Sequence, residues 1–137
     1  MFEPDPLRSV IYVSRVVGNP DDDEVYALYD EATRLNALER VTGVLIYDGV
    51  HYLQLLEGYP PAIGDLLERL ARDKRHCDFR VLDDRMVEER GCPGWHMRLV
   101  RIARAHLLGR GTIAEALPDG MSADARERLL DAAGQLV

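Results

Sequence analysis

Residues 41–57 constrain the fold of this chain more than any other stretch. Val41-Thr-Gly-Val-Leu-Ile-Tyr47 and Val50-His-Tyr-Leu-Gln-Leu-Leu-Glu57 are two strand-forming runs joined by Asp48-Gly49, a pair that favours the type I′ turn of a tight hairpin. A helix on each side of this hairpin leaves few topologies open. Upstream, residues 8–14 read as a strand, Gly18-Asn19-Pro20 breaks it, and three aspartates supply an N-cap and a negative first turn. The helix that follows carries Val25, Leu28, Tyr29, Ala32 and Leu35 at helical spacing. Downstream, Gly58-Tyr59-Pro60-Pro61 ends the hairpin, and Ile63, Leu66, Leu67 and Leu70 mark a second amphipathic helix. Residues 79–87 and Trp95–Ile102 read as two more strands around the turn Gly91-Cys92-Pro93-Gly94.

The order β-α-β-β-α-β-β predicts a ferredoxin-like α+β sandwich, with both helices on one face and the first and third strands adjacent. Residues 103–137 predict a two-helix extension: a short helix, a turn at Pro118-Asp119-Gly120 and a helix from about Ser122. Residues 1–7, with two prolines, read as a leader, and residues 8–102 as the one sandwich domain. A chain of 137 residues buries roughly two-thirds of its unfolded surface and needs no staples.

Charge and motifs exclude several functions. Lys+Arg number 17 against 24 Asp+Glu, a net charge of −7, and Lys74-Arg75-His76 is the largest basic cluster, so no nucleic-acid or anionic-membrane partner is expected. No apolar run approaches the ~20 residues of a membrane span, and the acidic start is unlike a signal peptide. Cys77 and Cys92 fit two ordinary thiols in a reducing cytoplasm. The four histidines (His51, His76, His96, His106) share no metal-ligand spacing. Nucleophile elbow, Walker loop, H-E-x-x-H and G-x-G-x-x-G are all missing, so no metal and no catalytic turnover are expected.

Polar groups set in apolar rows are more informative. In the third strand Val50, Tyr52, Gln54 and Leu56 share a face. A carboxamide buried there without partners costs roughly 1–3 kcal/mol. Either that row faces solvent or something polar meets Gln54. Val10, Tyr12 and Ser14 share a face of the first strand. Asn36 falls eleven residues after Val25, within about 20° of it on the core side of the helix, although it equally suits a helix end. Trp95, Met97 and Leu99 share a face of the fifth strand. With the first and third strands adjacent, Tyr12, Gln54 and the end of the first helix converge on one pocket between the helices. A planar ligand with donors and acceptors along one edge satisfies them.

These residues resemble the BLUF family, sensors of blue light using flavin adenine dinucleotide, over residues 8–101. The resemblance rests on Ile11-Tyr12-Val13-Ser14-Arg15, Asn36 followed by Val41-Thr42-Gly43, Leu53-Gln54-Leu55-Leu56-Glu57-Gly58, Arg72-Asp73-Lys74-Arg75-His76 and Gly94-Trp95-His96-Met97. It implies that FAD binds non-covalently, with Leu28, Ala32 and Asn36 of the first helix among its contacts. Tyr12 is then the electron and proton donor to the excited flavin, and Gln54 bridges the Tyr12 hydroxyl to the flavin N5/O4 edge. Rotation or tautomerisation of the amide redirects a donor onto O4 and shifts the absorption to the red. Trp95 and Met97 report that change, with Ser14 as switching partner of Trp95, and Arg75 and His76 approach the flavin's polar side or its phosphates. Two positions depart from the family pattern: Cys92 stands where an aromatic is common, and Ala32 where a small hydroxyl residue is.

The alternatives are a flavin-free interaction module of the same fold and a small hydrolase such as an acylphosphatase, for which residues 15–20 lack a Gly-rich cradle. The tail resembles that of short stand-alone BLUF proteins, so the signal is expected to reach a downstream protein by contact. One sheet face is expected to stay partly uncovered, which predicts a homodimer or larger ring.

Overall fold

The computed structural model describes residues 6–102 and 110–136. Strand β1 (Leu7–Val16) leads to helix α1 (Asp22–Glu39), β2 (Thr42–Tyr47), β3 (His51–Gly58), α2 (Pro60–Arg72), β4 (His76–Val87), β5 (Arg98–Arg101), α3 (Arg110–Ala116) and α4 (Ala123–Gly134). The sheet order is β4-β1-β3-β2-β5. This is the ferredoxin-like sandwich, with β1 and β3 antiparallel neighbours at its centre and Tyr12 in register with Gln54.

Local chemistry sets the element ends. Asp21 caps α1 by accepting the Glu24 N–H at 2.8 Å, and Asp22, Asp23 and Glu24 meet the positive end of the helix dipole. Arg40 stops the helix in the left-handed region (φ 57°) and turns its N–H back onto the Asn36 and Ala37 carbonyls. Val25 and Asn36 are the two buried residues of α1, as the eleven-residue spacing predicts. Beneath α1 and α2, Val10, Tyr12, Leu45, Leu56, Ile63 and Met97 form one core. On the opposite face, Ile11, Val44, Ile46, Leu53 and Leu55 pack against Ile113, Leu117, Leu129 and Ala133 of the tail helices. Strands β2 and β3 are thus buried on both faces, which explains their near-continuous apolar runs.

Four expectations need correction. The hairpin turn is not type I′: Gly49 has φ 87°, but Asp48 stays out of the left-handed region. Its carboxylate instead accepts the N–H groups of Val50 (2.9 Å) and His51 (2.6 Å), fixing the corner from the side chain. β4 starts at His76, three residues earlier than the apolar pattern suggests, with Asp78 at φ 53° and register shifts against β1. β5 shrinks to Arg98–Arg101, and Met97 at φ 149° breaks the alternation before it. Met97 therefore packs under α1 and α2 while Trp95 packs on the tail side, so the two do not share a face. Finally, the tail covers the second face well: Ile11, Val44, Ile46, Leu53 and Leu55 are each 0% exposed. The open apolar surface behind the expectation of an oligomer is absent from those strands.

Candidate functional site

Between α1, α2 and the sheet lies an open-mouthed cleft with an internal volume of about 150 Å³. Its walls are apolar: Leu28 and Ala32 on α1, Leu66 and Leu70 on α2, Leu45 on the floor. Ala32 keeps the α1 wall low where a larger side chain would narrow the slot. Asn36, Gln54 and Tyr12 bring polar atoms to it, while Glu31, Arg69, Asp73, Arg75 and His76 contribute charged and polar groups to its lining.

The register of β1 on β3 puts Tyr12 beside Gln54, and the phenol donates to Gln54 Oε1. Gln54 Nε2 in turn donates to the thioether of Met97 at 3.0 Å, a weak acceptor. The amide is therefore held by a strong partner on its oxygen and a soft one on its nitrogen. Tyr12 is 3% exposed, and burial, with smaller contributions from Tyr52 and Asp73, pushes its pKa well above the usual phenol range. Its ring lies on Phe79 at 4.7 Å and edge-on to His76 at 6.4 Å. Phe79 was visible in the sequence only as a strand residue; its contact with Tyr12 follows from the early start of β4. Asn36 is 3% exposed, lines the cleft, and its carboxamide has no hydrogen-bond partner among the described residues.

Of the other expected residues, Arg75 and His76 line the cleft, while Ser14 and Trp95 are not part of its lining. Ser14 Oγ is 2.7 Å from His76 Nδ1, and His76 Nε2 donates to the Leu70 carbonyl; with that tautomer Nδ1 accepts the Ser14 hydroxyl. Ser14 is not a neighbour of Trp95, since one lies on the cleft face and the other on the tail face. Trp95 sits under the Arg98 guanidinium at 4.9 Å and close against Gly120. Arg75 lines the cleft, tied to Asp73 at 2.6 Å and Glu31 at 3.5 Å.

The donor set fits a flavin. An apolar slot suits a flat ring system, and the two carboxamides offer donors and an acceptor to a ring edge with alternating carbonyl and nitrogen atoms. Among the described residues, no group of His, Cys, Asp or Glu could hold a metal ion.

A family model described as "BLUF: Sensors of blue-light using FAD" matches residues 7–98. The photoactivated adenylate cyclase subunit beta of Euglena gracilis is 30% identical over 87 residues, 64% of this chain and 10% of that protein. The blue light- and temperature-regulated antirepressor BluF of Escherichia coli is 30% identical over 80 residues, 53% of this chain and 20% of that protein. The chain thus spans a tenth to a fifth of these curated relatives. Among solved structures, the BLUF protein BlrB in its dark state superposes with a TM-score of 0.73 at 28% identity, over 95% of this chain and 98% of that one. BlrP1 of Klebsiella pneumoniae, solved with FMN and cyclic diGMP, gives 0.65 at 29% identity over 69% and 26%. With its cleft, its Tyr12–Gln54 pair and a family match over residues 7–98, this chain belongs to the BLUF family, the sensors of blue light using FAD.

Proposed function

We propose that this chain is a blue-light receptor that holds FAD non-covalently in the cleft and signals by protein contact, without catalytic turnover. The observation that carries this reading is the chain of bonds from Tyr12 through Gln54 to Met97 at an apolar slot. When bound, FAD supplies the blue-light absorption and an excited state that accepts an electron. Leu28, Ala32, Leu66 and Leu70 hold the ring system and exclude water; Asn36 and Gln54 orient its polar edge. Tyr12 is an oxidisable phenol whose electron and proton can leave and return, and burial keeps that proton in place in the dark. Gln54 Oε1 accepts from Tyr12 and Nε2 donates to Met97, so a turned or tautomerised amide presents new partners to both. Met97 is then the first reporter; Trp95, on the tail face, acts one step further out, and Ser14 acts through His76. Arg75 and His76 are placed to meet the flavin's polar side or phosphates. Residues 8–102 form the flavin-binding domain and 103–137 the extension, of which 103–109 and 137 lie outside the described residues.

Among the described residues no helix is long and apolar enough to cross a membrane; with −7 net charge this supports a cytoplasmic receptor whose partner is a protein. A homo-oligomer remains part of the proposal, tested by sedimentation. The mechanism is tested by Tyr12→Phe, which is expected to bind FAD and show no light-induced red shift; a normal photocycle in this variant would overturn it. Gln54→Leu is expected to bind FAD with a flat light-minus-dark spectrum. A protein that stays colourless after reconstitution with FAD would instead favour the flavin-free interaction module.

A further inference from the structure

Glu57 is 1% exposed and takes no part in the cleft. It stands three residues after Gln54, so β3 presents the carboxamide on one face and the carboxylate on the other. Oε1 accepts the Thr42 hydroxyl at 2.8 Å and the Cys92 N–H at 2.6 Å; Oε2 accepts the Gly91 N–H at 2.7 Å. Arg90 adds bonds to Thr42 Oγ1 (2.8 Å) and to the Glu57 carbonyl (3.2 Å). A buried carboxylate is tolerated only with such donors, and two of them are backbone N–H groups of one short segment.

That segment has two further attachments. The Gly91 carbonyl accepts the N–H of Ser122, the N-cap of α4, at 2.8 Å. A Cβ on Gly91 would stand 2.3 Å from Ala125 Cβ, so α4 rests directly on this backbone. At the other end the Trp95 carbonyl accepts the Gly43 N–H at 2.8 Å, and Met97 meets Gln54 at 3.0 Å. Residues 90–97 are therefore tied to the Gln54 amide at one end and to α4 at the other, with Glu57 between.

We propose that Glu57 is a positioning residue for signal output: its carboxylate fixes residues 90–92 so that a turn of the Gln54 amide, met at Met97, reaches the N-terminus of α4. The proposal rests on the photoreceptor reading. Its physical content is that the two states of the Gln54 amide differ in how well α4 docks.

The test is hydrogen exchange of residues 123–134 in the full FAD-bound chain, dark and under blue light, with absorption spectra of the same samples. In the native protein, light is expected to speed α4 exchange. Glu57→Gln keeps the size but points an N–H at the segment's own N–H groups. It should keep the light-minus-dark spectrum, show α4 exchange faster in the dark by about tenfold or more, as for one lost charge-assisted bond, and respond no further to light. Gly91→Ala should loosen α4 in the same way with Glu57 intact, and Gly91→Ala/Ala125→Gly should restore it. A Glu57→Gln protein with native dark protection and a native light response overturns the proposal, as does a red shift in the native protein with α4 unaffected. If Glu57→Gln does not fold, a light response of α4 that persists in Gly91→Ala overturns it. A native protein with no red shift sinks the photoreceptor reading itself and is separately visible in the spectra.

Discussion

In the proposed mechanism Tyr12, Gln54 and Asn36 carry most of the chemistry, and each was legible for the same reason. A polar side chain in a row of apolar ones must find a partner, and the fold brings these three to one cleft. Trp95 and Met97 were not placed correctly, because a two-residue period assumes a regular strand and Met97 adopts φ 149°. No residue type near it announces that kink. The state of Tyr12 leads to a pH prediction. Burial destabilises its phenolate, so the folded state holds the proton more tightly than the unfolded chain does. Its contribution to stability is whole below about pH 10, where a free tyrosine ionises, and declines above that. The light-minus-dark amplitude is therefore expected to stay flat from pH 7 to about 10. A loss of amplitude centred well below that range, in protein still folded by circular dichroism, would show that Tyr12 ionises like a solvated phenol.

At the scale of elements, the central hairpin and both amphipathic helices were readable because their patterns repeat over many residues. Element ends were less so, since they depend on single interactions such as the Asp48 carboxylate or the left-handed Arg40. Gly43 illustrates a constraint hidden from pattern: a Cβ there would stand 1.9 Å from the Leu55 carbonyl oxygen on β3. Gly43→Ala must part the two strands and is expected to cost about 3 kcal/mol, the upper range of overpacking, read from urea unfolding; a change below about 0.5 kcal/mol would contradict the strand contact. Helix α4 is gripped by Arg128, 7% exposed, which donates to Asp83 at 2.7 Å and to the Ser9 hydroxyl at 2.9 Å. Burial raises the Asp83 pKa, but bonds from Arg85 and Arg128 outweigh it and hold the carboxyl below the usual range. A lowered folded-state pKa means stability that is present above about pH 4 and is lost as pH falls further. Arg128→Met is thus expected to destabilise by about 2–3 kcal/mol at neutral pH. That difference should shrink steadily as unfolding is repeated from about pH 5 down to 2; a constant difference would show that packing, not the ion pair, holds α4.

In the whole molecule, strands β1, β2 and β3 are covered on both faces. One cover, α1 and α2, leaves room for a ligand; the other, α3 and α4, packs closely. The tail's two helices were legible, but how closely they cover β1, β2 and β3 was not. It depends on Leu129, Ala132 and Ala133 meeting Ile11, Leu53 and Leu55 across long sequence separation. The most direct measurement is one absorption spectrum of the purified chain reconstituted with FAD, recorded in the dark and again under blue light. A flavin spectrum that shifts reversibly to the red is predicted. A colourless protein, or bound flavin whose spectrum does not move, would contradict the account.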